Sequence, residues 1–68
     1  MKLIEKFPLG STQYYRTFGI NYPVRIVGHY VSDMGRKCVI AMSDEGIPVD
    51  GVKAGEAIVI DSIYIRTQ

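Results

Sequence analysis

Two runs rich in β-branched and apolar residues constrain this chain more than any other feature: Pro23 to Met42, folded about Asp33-Met34-Gly35-Arg36, and Ala57 to Arg66. Seven Val and nine Ile stand among the 68 residues, concentrated in three stretches. Side chains branched at Cβ are stiff at χ1 and fit extended backbone better than helix. No stretch repeats apolar residues at three-and-four spacing over ten positions, so at most one short helical turn is expected, at Val52–Gly55. The expectation is one all-β domain spanning residues 1–68.

The strands can be placed by their breakers. Lys2–Phe7 reads as an edge strand that ends at Pro8-Leu9-Gly10-Ser11. Gln13–Phe18 reads as a short strand or extended arm, closed by Gly19 and a turn at Asn21-Tyr22-Pro23. In Val24–Ser32, strict alternation puts Val24, Ile26, Gly28 and Tyr30 on one face and Arg25, Val27, His29 and Val31 on the other, with Gly28 marking a bend. Asp33 to Arg36 supplies a hairpin turn with Gly35 at positive φ, and Lys37–Met42 returns antiparallel. Ser43–Gly46 is a second turn, and Ile47–Glu56, with one Pro and two Gly, is a loop. In Ala57–Arg66 the apolar parity changes across Asp61-Ser62, which predicts a bulge or bend there.

Four to five short antiparallel strands with a long early loop suggest a small SH3-like barrel, and an OB-like barrel is the second choice. The OB version wants a helix between its third and fourth strands, and Ile47–Glu56 is too short and too rich in Gly and Pro to supply one.

A chain this short buries only about 60% of the surface its unfolded form exposes. Disulfides commonly compensate in small folds, but Cys38 is alone, which leaves self-association as the open route. One cysteine and a charged, uncleavable start, Met-Lys-Leu-Ile-Glu-Lys-Phe, fit a reducing, cytoplasmic setting. No apolar run approaches the ~20 residues needed to span a bilayer, so no membrane partner is expected. Net charge is +1, yet residues 1–37 carry six Lys/Arg against two acids and residues 38–68 carry two against five. Such asymmetry suits a nucleic-acid face, head-to-tail contact between identical subunits, or nothing beyond scattered solvated charge.

Chemistry-bearing patterns are sparse. His29 and Cys38, nine residues apart, do not make a metal site, and Cys38 shares parity with Ile40 and Met42 as a small buried hydrophobe. Asp44, Glu45 and Asp50 lack the spacing of a calcium loop. No serine lies in a nucleophile elbow, and Gly10-Ser11-Thr12 lacks the lysine of a phosphate loop. Neither catalysis nor a cofactor is expected.

The run Ile26-Val27-Gly28-His29-Tyr30, followed by a turn, resembles the corresponding stretch of the plasmid-type (type II) dihydrofolate reductases. That resemblance covers five residues and implies an SH3-like barrel that assembles as a tetramer. The family's Val-Gln-Ile-Tyr active-site run is absent; the nearest segment is Ile58-Val59-Ile60-Asp61, so reductase activity is not expected.

Aromatic and basic residues interleave at Tyr14, Tyr15, Arg16, Phe18, Tyr22, Arg25, His29, Tyr30, Arg36 and Lys37. Tyrosine and arginine are enriched at protein–protein hot spots, and aromatic rings beside cations also stack single-stranded bases. The structural alternative places Phe18 and Tyr30 in the core and Tyr14 and Tyr15 over a barrel end. The strands carry apolar residues on both parities, more than one small core would hide. The chain is therefore expected to be a non-enzymatic binding module, a stand-alone inhibitor or adaptor that docks on another protein and on itself. Its contact residues are Tyr14, Tyr15, Arg16, Tyr22, Arg25, His29, Arg36 and Lys37. The alternative is a nucleic-acid-binding barrel using the same face.

Overall fold

The computed structural model describes residues 6–66, which form one five-stranded antiparallel sheet with no helix beyond two 3-10 turns. The strands are β1 (Thr12–Thr17), β2 (Ile20–Val31), β3 (Lys37–Met42), β4 (Ala57–Asp61) and β5 (Ile65–Arg66). They lie side by side in the order β4-β3-β2-β1-β5. The strand expected over Lys2–Phe7 lies almost wholly outside the described residues; Lys6 and Phe7 belong to no strand.

The first hairpin turns earlier than expected. Phe18 and Gly19 both take positive φ, 49° and 74°, in a two-residue connection closed by the pair Thr17 and Ile20. Two left-handed residues match the right-handed twist of the flanking strands. Asn21, Tyr22 and Pro23 are therefore strand, not turn. Counting from the closing pair, alternate pairs exchange hydrogen bonds, so Tyr14 and Pro23 face each other where β1 needs nothing from the missing N–H. On the other flank, β3 pairs with β2 only from Arg25 onward, so no partner is lost there either.

Gly28 marks a bend, as expected. The pairing of β2 with β3 slips between Ile26 and Gly28: Ile26 faces Ala41, Gly28 faces Ile40, and Val27 is the extra residue. Strict alternation fails beyond this bulge. Ile26 and His29, three apart, face Ala41 and Val39, both of which point into the core. Tyr30 and Gly28 thereby share the outer face with Arg25, while His29 turns inward. A Cβ on Gly28 would come within 3.1 Å of the Ile40 Cδ1, so the glycine lets the Ile40 side chain lie across the strand.

The second hairpin is the expected one. Gly35, at φ 79°, donates its N–H to the Ser32 carbonyl, the Ser32 N–H reaches the Arg36 carbonyl, and the Arg36 N–H reaches the Ser32 hydroxyl. The helical turn expected at Val52–Gly55 forms instead at Pro48–Asp50, where proline presets φ at the first position and Gly51, at φ 71°, ends the turn. The backbone bridge between Ile47 and Val52 clips this loop shut.

The break at Asp61-Ser62 falls where the parity change predicts, but it is larger than a bulge. The Asp61 carboxylate accepts the Ile63 N–H at 3.1 Å and opens a 3-10 turn over Ser62–Tyr64. The chain then leaves β4 at one edge of the sheet and enters β5 at the other, where Ile65 pairs with Tyr15 and Arg66 with Tyr14. A three-residue 3-10 turn advances only about 6 Å, so the sheet curls until the end of β4 lies near the start of β5. No ladder joins β4 to β5 among the described residues, and the sheet is not closed.

The core lies inside the curl: Phe7, Val24, Ile26, Val39, Ala41, Ile47, Ile60 and Ile65, with Tyr15, Tyr22, Val52 and Ile58 packed against it. Burying each large side chain is worth roughly 1.5–3 kcal/mol. Cys38 is buried, 8% exposed, but stands apart from this cluster on the outer face, flanked by Tyr30 and Asp61, with its thiol toward the Arg36 carbonyl.

Candidate functional site

Strand register divides six of the eight expected contact residues between two faces, and the other two lie at the second hairpin. Tyr14, Arg16 and Arg25 share the outer face of the β1–β2 hairpin, where Tyr14 sits between Pro23 on β2 and Arg66 on β5. The Arg16 guanidinium donates to the Asn21 side-chain oxygen at 3.4 Å, and Arg25 lies 3.9 Å from the exposed Asp44 carboxylate. Arg66 folds back onto the Ile63 carbonyl at 2.7 Å. Register thus sets three arginines on the same outer face as one half-buried tyrosine, their guanidinium groups turned to Asn21, Asp44 and the Ile63 carbonyl.

Tyr15 and Tyr22 face each other on the inner side and pack against the core. The Tyr15 hydroxyl donates to Asp50 Oδ2 at 2.7 Å, and the Thr17 hydroxyl approaches Asp50 Oδ1 at 3.4 Å. Partial burial, reinforced by the neighbouring carboxylate, raises the Tyr15 pKa above its usual value. Asp50 thus anchors the first 3-10 turn to the inner side of the hairpin.

His29 also faces inward. Its Nε2 donates to the Phe7 carbonyl at 2.6 Å, since a carbonyl oxygen can only accept. The imidazole holds Phe7, one of the most deeply buried side chains, against the end of the sheet. Arg36 closes the turn of the second hairpin and Lys37 opens β3. The Arg36 Nε donates to Asp61 Oδ2 at 2.6 Å, which ties the hairpin to the start of the second 3-10 turn. The Ile63 N–H and then this guanidinium hold the Asp61 carboxyl below the usual aspartate range, and the carboxylate raises the Arg36 pKa in turn.

Phe18 is not a core residue. It stands at the tip of the first hairpin, 78% exposed, in the one left-handed conformation taken by a non-glycine residue among those described. A bulky side chain in this region costs roughly 1–2 kcal/mol. Ile20, two residues on, is exposed as well. Tyr30 is likewise outside the core, 46% exposed, on an outer-face row with Cys38 and Asp61. Phe18 carried a usable signal in the sequence: Phe-Gly stands between Thr17 and Ile20 where Asn-Gly is the ordinary two-residue connection.

A cavity of about 210 Å³ opens beside the hairpin, lined by Tyr22, Pro23, Arg25, Met42 and the turn from Ser43 to Gly46. The described residues contain no group of three or more His, Cys, Asp or Glu side chains placed to hold a metal ion. No helix among them is long and apolar enough to cross a membrane. No family model, curated protein or solved structure matches this chain.

Proposed function

We propose that this chain is a small cytoplasmic SH3-like barrel that works as a non-enzymatic binding module, an inhibitor or adaptor that docks on another protein through its first hairpin and also self-associates. The barrel assignment is supported by the strand order and by the 3-10 turn that carries the chain from one sheet edge to the other. The observation that carries the docking role is Phe18: an exposed aromatic ring held in a costly backbone conformation at a hairpin tip. Strain of this kind persists where surrounding structure imposes it, and it clusters at functional positions. The Asp50 contacts to Tyr15 and Thr17 pre-organise the hairpin, which lowers the entropy lost when a partner closes over the ring.

Purification of tagged wild-type and F18A chains from the source cytosol tests this reading. A partner retained by the wild type and lost from F18A, with both chains folded by circular dichroism, supports it. Identical sets of co-purifying proteins refute it.

The grouping of Tyr14 with Arg16, Arg25 and Arg66 favours a second reading, a single-stranded nucleic-acid surface on the outer face of β1, β2 and β5. Base–aromatic stacking is worth about 1–3 kcal/mol per base beside such cations. Titration of a labelled oligonucleotide against salt decides it. A log–log slope that becomes shallower in R16A and R25A supports the surface, and no binding near physiological salt removes it.

A further inference from the structure

We infer that the free edge of β4 is a homodimer interface, at which Ala57–Asp61 pairs antiparallel with the same strand of a second copy across a two-fold axis at Val59. This rests on the proposal that the chain self-associates, and it names the surface.

Among the described residues, β4 is hydrogen-bonded to β3 on one side only. An edge strand presents unpaired N–H and C=O groups, and natural proteins usually protect such an edge with Pro, Lys, a bulge or a covering segment. Ala57-Ile58-Val59-Ile60-Asp61 contains neither Pro nor Lys, and its register with β3 is unbroken over all five residues. Val59 is 59% exposed on the outer face, in a row with Ile40 of β3.

The second copy is the favoured occupant because the strand is self-complementary in one register. Side chains opposite each other in an antiparallel pair must share a face, and Ile58 and Ile60 face inward while Val59 faces out. With Val59 opposite Val59 of the second copy, each Ile58 meets an Ile60 on the inner side and each Ala57 meets an Asp61. Asp61 is the strand's only charge and is already neutralised by Arg36, so no like charges oppose each other. The two sheets would then run on as one sheet of ten strands. A closed two-fold of this kind is the commonest symmetry of soluble oligomers.

The test uses sedimentation of the wild type, V59K, V59E and Y30K at tens of micromolar, with circular dichroism to confirm folding. A dimer is expected for the wild type and Y30K, and monomers for V59K and V59E. Mixing V59K with V59E restores a dimer, because residue 59 faces its own copy and the mixed pair opposes Lys to Glu. In the wild-type dimer, amide hydrogens on the free side of Ala57–Asp61 exchange at least tenfold more slowly than in the V59K monomer. A dimer that persists in V59K, or is lost in Y30K, overturns the β4 edge while leaving self-association intact. A wild type that stays monomeric removes both proposals.

Discussion

Replacing Phe18 with asparagine should make this protein more stable, although it removes a large aromatic side chain. Phe18 holds φ 49°, where a side chain with a Cβ and a bulky ring costs roughly 1–2 kcal/mol. Asparagine tolerates the left-handed region, and Asn-Gly is the preferred pair for a two-residue hairpin. Against this gain stands the ring's small burial. At 78% exposure, about a fifth of the ~200 Å² that a phenylalanine presents is hidden, and at ~25 cal/mol per Å² its loss costs at most about 1 kcal/mol. The net effect is a gain of up to about 1 kcal/mol, which in a domain of this size raises Tm by up to roughly 8 °C. F18A is the control, because alanine loses the ring yet keeps most of the backbone penalty. Thermal and urea unfolding of the three chains measure the difference. An F18N chain no more stable than F18A would refute the account, since the backbone term would then be absent. If the hairpin tip is also the docking point, F18N binds its partner more weakly as it gains stability.

Gly46 makes the opposite case. At φ 79°, with its absent Cβ 2.8 Å from the Val52 carbonyl oxygen, G46A should cost more than about 2 kcal/mol, read as a lower urea midpoint by circular dichroism. Tyr15 has a raised pKa, so its share of stability is complete below the unfolded value near 10 and is lost as pH rises through the folded value; D50N should reduce that alkaline dependence in urea melts at pH 8 to 11. Asp61 has a lowered pKa, so its share is present above the unfolded value of 3.8 and falls away as pH drops through the folded one; R36A should weaken this acid dependence without abolishing it, because the Ile63 N–H remains.

Much of the fold was legible because strand chemistry is local. Val39, Ala41 and Ile60 announce their faces by alternation, and Gly35 announces the second hairpin by its freedom at positive φ. What could not be read depended on neighbours. The parity of β2 holds only until Val27, and nothing in Ile26-Val27-Gly28-His29 says which residue the ladder will skip until β3 is laid beside it. The same slip moved His29 from the surface to the Phe7 carbonyl. Asn21-Tyr22-Pro23 has turn composition, yet Pro23 fits a strand because its ladder position requires no donor. The aromatic and basic residues were visible as a set, but their division between faces was not: Tyr14 and Tyr15 are adjacent in sequence and on opposite sides of the sheet.

The returning strand β5 has a kinetic consequence. β1 through β4 are joined in sequence order, each pairing with the next, so their contacts close short loops. Among the described residues β5 contributes Ile65 and Arg66 alone, and these meet Tyr15 and Tyr14 across some fifty residues of chain. Loop closure of that length must be paid before two short pairings reward it, and the penalty grows with the logarithm of the separation. On these grounds the four-stranded meander is expected to form before β5 returns to β1. Ile65 is a core residue, so release of β5 would open the inside of the sheet to water while the meander keeps its own pairings.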